Sequence, residues 1–223
     1  MLVHIPNILQ STTLNKIRDL AQIATFASGS LTAGWHAKEV KNNEQVIACP
    51  ELEKIRSLVV SALEENAILR SMTFPKRFVP PLLSRCQVGQ GYGLHIDDAL
   101  MGGTMNIRSD ISVTVFLSNP EDYEGGELII ETLSGADEAK PPAGDAIIYP
   151  STTLHRVAPV TKGIRLAAVT WIESRIRDTA KREILFDLDR ARRQIFQKEG
   201  KCESFDLIAK SYSNLLRSWS DSC

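Results

Sequence analysis

Residues 89–97 read GQGYGLHID, a glycine-rich turn that leads into a histidine and an aspartate two residues apart. If the turn leads into a β-strand, side chains two apart point to the same face, and His95 and Asp97 can hold one metal ion together. The motif alone is weak, because four histidines and 27 acidic residues supply such a spacing by chance about half the time. The alternative is a turn histidine capped by a neighbouring acid.

Short strand-like runs surround this motif over residues 76–175 and are separated by glycine, proline and aspartate. They are not interleaved with helical patterns, which disfavours a parallel doubly wound sheet. Several short strands at this spacing predict a sandwich, a barrel or a jelly roll. The runs are Leu82–Val88, Ile111–Leu117, Glu127–Glu131, Ala146–Tyr149, His155–Val157 and Arg165–Trp171.

Both ends of the chain have apolar residues at helical spacing, after Ser11 and Pro50 and again within 184–195 and 207–216. The sequence therefore predicts an α+β chain in three parts. These are a mixed, mainly helical N-terminal region at 1–75, a β-rich domain at 76–175 and a C-terminal helical region at 176–223. The apolar faces over 176–216 need a partner, which is either the β-rich domain or a second subunit in a homodimer.

Composition and charge exclude several classes of partner. The formal net charge is −1 and the pI is about 6.4, so no basic field is available to attract nucleic acid or an anionic membrane. No apolar run approaches the ~20 residues that cross a bilayer. Met1 to Gln10 lack the basic start and long apolar stretch of a signal peptide, so we expect a cytoplasmic location. The four cysteines have no metal-binding spacing, which fits free thiols in a reducing compartment.

A second histidine extends the candidate metal site. His155 begins a later strand-like run, and strands that are distant in sequence meet in an antiparallel barrel. Two histidines and one carboxylate on one side of a metal leave the other positions open, which suits non-haem iron(II) and oxygen chemistry. The same donors also hold catalytic zinc with a water in the fourth place. A zinc-dependent enzyme therefore stays open at this point.

Arg165 lies ten residues after His155, inside the apolar run GIRLAAVTW at 163–171. A buried guanidinium is costly unless it is paired, and on the face of Val169 and Trp171 it points into the barrel. A ligand carboxylate satisfies it with two parallel hydrogen bonds, and the distal carboxylate of 2-oxoglutarate fits that role. The alternative is an arginine at an edge whose head reaches water. A zinc enzyme does not account for this residue.

Together these motifs resemble those of the prolyl 4-hydroxylase type of iron(II)/2-oxoglutarate dioxygenases, and in particular the bacterial PKHD-type hydroxylases. The resemblance covers nearly the whole chain. One departure is Cys86 after Arg85, where such enzymes have an aromatic residue. The segments that resemble the family are Val40–Asn43, Tyr92–Asp97, Arg108–Ser112, Tyr123–Leu128, Pro142–Asp145, Tyr149–Ser151, Leu154–His155, Pro159–Thr161 and Gly163–Arg165.

The resemblance implies a double-stranded β-helix, or jelly-roll, core with flanking helices. It also implies catalytic residues at His95, Asp97, His155 and Arg165: the first three hold iron(II), and Arg165 anchors 2-oxoglutarate. L-ascorbate is a further candidate, as reductant. Tyr92 either lines the co-substrate pocket or only packs on the turn.

The implied reaction is hydroxylation of a peptide or small-molecule substrate by O2, with release of succinate and CO2. Because Asp97 is a carboxylate, no ligand position is vacated for chloride, which favours hydroxylation over halogenation. The alternative from a different class is a non-enzymatic module on the same barrel that senses iron or oxygen or binds a ligand. Formation of succinate distinguishes these interpretations.

Overall fold

Helices lie near both ends of the chain and short strands run through the rest in the computed structural model, which describes residues 2–32, 34 and 37–221. The helices are α1 (Ser11–Ile23), α2 (Pro50–Glu65), α3 (Ala67–Thr73), α4 (Thr179–Glu199) and α5 (Glu203–Trp219). The strands are β1 (Val3–Ile5), β2 (Phe26–Ser28), β3 (Lys41–Asn42), β4 (Glu44–Val46), β5 (Pro75–Phe78), β6 (Leu82–Cys86), β7 (Gly91–His95), β8 (Leu100–Met101), β9 (Ile107–Arg108), β10 (Ile111–Phe116), β11 (Tyr123–Gly125), β12 (Leu128–Thr132), β13 (Gly135–Ala139), β14 (Ala146–Pro150), β15 (His155–Val157), β16 (Val160–Gly163) and β17 (Arg165–Ser174).

Two antiparallel sheets form the core of the molecule. The larger sheet has the strand order β1-β14-β10-β17-β6-β4-β2, with β5 also paired to β17. The smaller sheet has the order β13-β12-β15-β7-β3. In the larger sheet Arg165 of β17 lies opposite Cys86 of β6, and in the smaller one His155 of β15 lies opposite His95 of β7. Residues far apart in sequence therefore meet at fixed positions.

Alternating side chains decide what each face of the larger sheet contacts, because successive residues of a strand point to opposite faces. On β10, Ile111, Val113 and Val115 join the main core, which includes buried residues of α1, α2 and α3. Phe116 points the other way and packs against Leu128 of β12. The two sheets therefore pack face to face, and the helices cover the outer face of the larger sheet.

This arrangement confirms the predicted α+β class and the jelly-roll core with flanking helices. The helical stretches inferred at 184–195 and 207–216 lie within α4 and α5. The division of the chain near residues 75 and 175 stays a prediction. The N-terminal part contributes strands as well as helices, since β1, β2 and β4 pair into the larger sheet.

The C-terminal helices α4 and α5 pack on each other and on the end of the sheet. Ile176 and Leu185 are fully buried beside Phe74 and Tyr212, in a cluster separate from the main core. Asp178 caps α4 by accepting hydrogen bonds from two backbone N–H groups. Part of the apolar face over 176–216 therefore packs on this chain's own Phe74. None of the described helices is long and apolar enough to cross a membrane.

Leu185→Ala tests whether the C-terminal helices belong to the cooperative fold. Leu185 is 0% exposed, so its truncation should lower the free energy of unfolding by about 2–5 kcal/mol, measured by chemical denaturation. Leu207→Ala is the matched control: Leu207 is 52% exposed on α5, and its loss should cost less than about 1 kcal/mol. Equal losses for the two variants would mean that the helices are not packed as described.

Candidate active site

His95, Asp97 and His155 converge between the two sheets. Antiparallel pairing of β7 with β15 places the two histidine rings with their centroids 4.2 Å apart. His155 Nε2 lies 3.8 Å from Asp97 Oδ1. One ligand atom from each of the three residues lies within 4.8 Å of the others, and no other His, Cys, Asp or Glu group with this geometry is found in the described ranges. The geometry fits a single metal ion.

Backbone carbonyls orient both imidazoles. His95 Nδ1 lies 2.8 Å from the carbonyl oxygen of Gly93, and His155 Nδ1 lies 3.1 Å from that of Thr153. A carbonyl oxygen only accepts, so each Nδ1 carries the proton and each Nε2 keeps a lone pair. This is the tautomer that binds a metal through Nε2.

The electrostatics of His95 favour the same neutral form. Burial lowers the pKa of His95 to about 4, and the nearby His155 also lowers it. The hydrogen bond to Gly93 and the charge of Asp97 act in the opposite direction but are weaker. His95 is therefore neutral near pH 7 and available as a ligand.

Ser112 holds one oxygen of the Asp97 carboxylate. Its Oδ2 accepts a 2.5 Å hydrogen bond from Ser112 Oγ, and Ser112 Oγ lies 2.7 Å from Ser151 Oγ. The Asp97 side chain is 5% exposed, so water does not compete strongly for these bonds. Oδ1 is the carboxylate oxygen that faces His155.

Tyr92 lines the cavity and also packs on His95. The two rings stack with centroids 3.6 Å apart, and Lys41 Nζ lies 5.3 Å from the centroid of Tyr92. Burial, with the charges of Asp97 and Asp98, raises the pKa of Tyr92, so the phenol keeps its proton. Burial lowers the pKa of Lys41 to about 8, against the opposing charge of Asp97. Lys41 is therefore still largely a cation at pH 7.

The cavity that contains these residues has a volume of about 560 Å³. The lining residues Thr114, Tyr149 and Arg165 are at most 3% exposed and mark the inner part of the cavity. Leu100 and Met105 are 60% and 47% exposed and mark its outer part. The candidate metal ligands His95, Asp97 and His155 line the same cavity. The volume exceeds what a five-carbon diacid fills, which leaves room for a second molecule.

Arg165 is a buried cation at the inner end of this cavity. It is 2% exposed, and its Nε has no hydrogen-bond partner. None of the carboxylates in the described part of the chain lies within ion-pair distance of it. The ring of Phe116 lies 5.2 Å from its Cζ. A buried guanidinium without a protein anion calls for a ligand anion.

Other cations and histidines of the chain are engaged elsewhere. Arg85 forms an ion pair with Glu44 at 2.6 Å and stacks on Phe26. Lys162 is 76% exposed and pairs with Glu124 on the surface. His4 bonds to Asp145 at the sheet edge, at 2.7 Å. His36 lies outside the described residues.

Several residues in or beside the cavity were not predicted from the sequence as site residues. Lys41 and Gln45 line the cavity from the N-terminal strands, and Trp171 lines it from β17. Ser112 donates a hydrogen bond to Asp97, and its hydroxyl is also hydrogen-bonded to that of Ser151. The signal for Ser112 was present: it is a polar residue alternating with Ile111 and Val113, in the pattern of a strand with one polar face. No pattern linked Lys41 to the distant turn.

Comparison with known proteins defines the class first. The family model described as the 2OG-Fe(II) oxygenase superfamily matches residues 81–173. A solved Pseudomonas putida prolyl-4-hydroxylase is similar in fold, with a TM-score of 0.53 and 16% identity over 78% of this chain and 92% of that chain. A Trichoplax adhaerens prolyl hydroxylase gives a TM-score of 0.55 and 18% identity over 82% of this chain and 86% of that chain.

The particular family follows from the full-length relatives. The model of the PKHD-type hydroxylase C-terminal domain matches residues 179–221. A PKHD-type hydroxylase from Crocosphaera subtropica is 49% identical over 99% of this chain and 100% of its own length. One from Synechococcus elongatus is 48% identical, again over 99% and 100%. The chain belongs to the PKHD-type hydroxylases, and it is an enzyme that depends on iron(II) and 2-oxoglutarate. The zinc-enzyme and non-enzymatic alternatives are therefore set aside.

The depressed pKa of His95 predicts how the metal-free protein responds to acid. An unfolded histidine binds its proton near pH 6.5, whereas His95 in the folded protein binds it near 4. The unfolded state thus holds more protons between these values, and the free energy of unfolding should fall as pH drops from about 6.5 to about 4. Denaturant titrations in chelator at several pH values measure this. His95→Gln should flatten the slope, and an unchanged slope would refute the assignment.

Proposed function

We propose that His95, Asp97 and His155 hold the iron(II) of this hydroxylase and that Arg165 binds the distal carboxylate of 2-oxoglutarate. The observation on which this rests is the buried, unpaired guanidinium of Arg165 in the same cavity as the three convergent ligands. A dicarboxylate that reaches both the metal and Arg165 accounts for the two features together. A zinc site would leave Arg165 without a partner.

The chain's own residues position the reactants. When bound, iron(II) would activate O2, and 2-oxoglutarate would be oxidised to succinate and CO2, supplying two of the four electrons that reduce O2 while the substrate supplies the other two. Arg165 offers a planar pair of donors, which fixes the orientation of a carboxylate better than an ammonium does. Gly93 and Thr153 hold the imidazoles through Nδ1, so that each Nε2 faces the metal position. Phe116 and Leu128 close the inner end against water.

The substrate binds, in this proposal, in the outer part of the cavity. Leu100, Met101 and Met105 give the cavity lining apolar surface, while Lys41 and Gln45 add polar groups to it. Such a lining suits a peptide or a small molecule with an apolar portion. Oxygen is the other co-reactant of the family's chemistry.

The proposal extends to the reductant, the location, the oligomeric state and the domain limits of the enzyme. The family resemblance supports L-ascorbate as reductant of the iron. The free thiols of Cys49, Cys86 and Cys202 support a cytoplasmic location. The net charge of −1 supports the absence of nucleic-acid and membrane partners. Exposed Phe196 and Leu207 on the C-terminal helices support a homodimer. The family matches at 81–173 and 179–221 support a dioxygenase domain at 76–175 and a helical region at 176–223, after a mixed, mainly helical region at 1–75.

Removal of any one ligand tests the metal site. His95→Ala, Asp97→Ala and His155→Ala should each remove most of the affinity for iron(II), because a three-ligand site loses a third of its donors. Anaerobic calorimetry of iron(II) binding to each folded variant measures this. His4→Ala is the control, since His4 lies at the sheet edge and should leave the affinity unchanged. Full affinity after loss of His155 would show that another residue is the distal ligand.

Replacement of Arg165 tests the co-substrate site. Arg165→Ala should keep iron(II) but lose 2-oxoglutarate affinity by about 2–5 kcal/mol, which is roughly 30-fold to several thousand-fold. Arg165→Lys should recover only part of this loss, because an ammonium cannot form the two-pronged contact. Anaerobic titration of the iron(II) protein with 2-oxoglutarate, following the charge-transfer absorption, measures both variants.

Lys162→Ala is the matched control for Arg165→Ala, because it removes a cation from the neighbouring exposed strand β16. It should bind 2-oxoglutarate as wild type does. Equal binding by wild type and Arg165→Ala would place the anchor elsewhere. No charge-transfer band in wild type would refute the proposed co-substrate site.

A further inference from the structure

Ser112 occupies a central position behind the candidate metal ligands. It is 0% exposed on β10, between β14 and β17, where its neighbours in register are Tyr149 and Trp171. Its hydroxyl lies 2.5 Å from Asp97 Oδ2 and 2.7 Å from Ser151 Oγ. Ser112 is therefore the link between a carboxylate ligand and a second buried hydroxyl.

The chemistry of these groups fixes the direction of each hydrogen bond. An ionised carboxylate only accepts, so Ser112 must donate its single proton to Asp97. Ser112 then has only lone pairs to offer, and Ser151 must donate to it. The Ser151 and Ser112 hydroxyls therefore form a chain whose donors all point toward Asp97.

Ser151 is itself fixed by the backbone. It is 3% exposed, and its N–H donates to the carbonyl of Asp110 at 3.2 Å. Because both serines are buried, Ser112 on β10 and Ser151 directly after β14, neither hydroxyl exchanges its partner for water. The chain of hydrogen bonds is thus preorganised before any ligand binds.

The consequence for Asp97 is an asymmetry between its two oxygens. Oδ2 is occupied by a short, charge-assisted hydrogen bond, whereas Oδ1 faces His155 Nε2 at 3.8 Å. A carboxylate held in this way presents one oxygen to a metal. Without the hydroxyl, Oδ2 would be buried and unpartnered, and the carboxylate could turn to present both oxygens to the metal.

We propose that Ser112 is a positioning residue that makes Asp97 a one-oxygen ligand, with Ser151 fixing the direction of the Ser112 proton. This inference rests on the proposed function, because it takes Asp97 as a ligand. A one-oxygen carboxylate leaves more of the coordination sphere open for co-substrate and O2. The serine pair thus determines how many positions the protein itself fills.

Manganese(II), a redox-stable probe, tests the proposal by calorimetry. Ser112→Ala should bind manganese(II) about 10–100-fold more weakly than wild type, the usual cost of losing a hydrogen bond to a metal ligand. The manganese(II) affinity of Ser151→Ala should lie between those of wild type and Ser112→Ala. In this variant Ser112 can still donate to Asp97 but no longer accepts the hydrogen bond from Ser151. Ser174→Ala is the matched control: it also deletes a fully buried hydroxyl, which donates to Thr73, and should bind as wild type does.

Infrared difference spectra between metal-free and manganese(II)-loaded protein give a readout that a merely structural role would not change. One-oxygen coordination separates the two carboxylate stretches widely, and two-oxygen coordination brings them together. The separation should be wide in wild type and Ser174→Ala and narrow in Ser112→Ala. Ser112→Thr, which keeps the hydroxyl, should restore the wide separation between the two carboxylate stretches. If the threonine variant does not fold, Ser151→Ala with a partly narrowed separation serves instead.

Unchanged affinity and unchanged carboxylate stretches in Ser112→Ala would overturn the proposal. Its failure is distinguishable from failure of the metal site through Asp97→Ala. If Asp97→Ala binds manganese(II) as wild type does, the proposed metal site itself is wrong. If Asp97→Ala loses binding while Ser112→Ala retains it, only the role of Ser112 is wrong.

Discussion

The buried guanidinium of Arg165 is the constraint on which the site depends. Its side chain is 2% exposed, its Nε has no hydrogen-bond partner, and no carboxylate of the described residues forms an ion pair with it. Burying such a cation costs desolvation free energy that the protein does not recover by pairing. The surrounding Phe116 and Cys86 do not offset that cost. The pairing of β17 with β6 holds Arg165 at this buried position. In the proposed function, the carboxylate of a bound ligand supplies the missing negative charge.

Strand alternation explains how so few residues build the whole site. β10 sends valines to the helical layer, Thr114 to the cavity and the Ser112 hydroxyl to Asp97. β17 sends Arg165 and Trp171 to the same cavity, and the pairing of β7 with β15 brings His95 against His155. A shift of one residue in either pairing would turn these side chains away from the cavity. The register of two sheets is therefore what positions the chemistry.

The sequence predicted the parts of this arrangement that local patterns encode. The polar turn with His95 and Asp97, the apolar run around Arg165 and the helical periods each depend on neighbouring residues, and motif order made the family recognisable. The proximity of Lys41 to Tyr92, and of Ser112 to Ser151, depends on strand pairing over long distances, which no single stretch encodes. Likewise, the sequence showed only that Cys86 stands where related enzymes have an aromatic residue. Its position opposite Arg165 follows from the register of β6 with β17.

The most direct test is to determine where a metal ion and a co-substrate analogue bind in one crystal of the protein. Diffraction data from crystals grown with manganese(II) and N-oxalylglycine, collected at the manganese absorption edge, locate the metal by its anomalous signal and the analogue by its electron density. The account predicts one manganese peak bound by Nε2 of His95, Oδ1 of Asp97 and Nε2 of His155, with the distal carboxylate of the analogue paired to Arg165. A manganese peak away from these residues, or a distal carboxylate paired to Lys41 instead of Arg165, would contradict it.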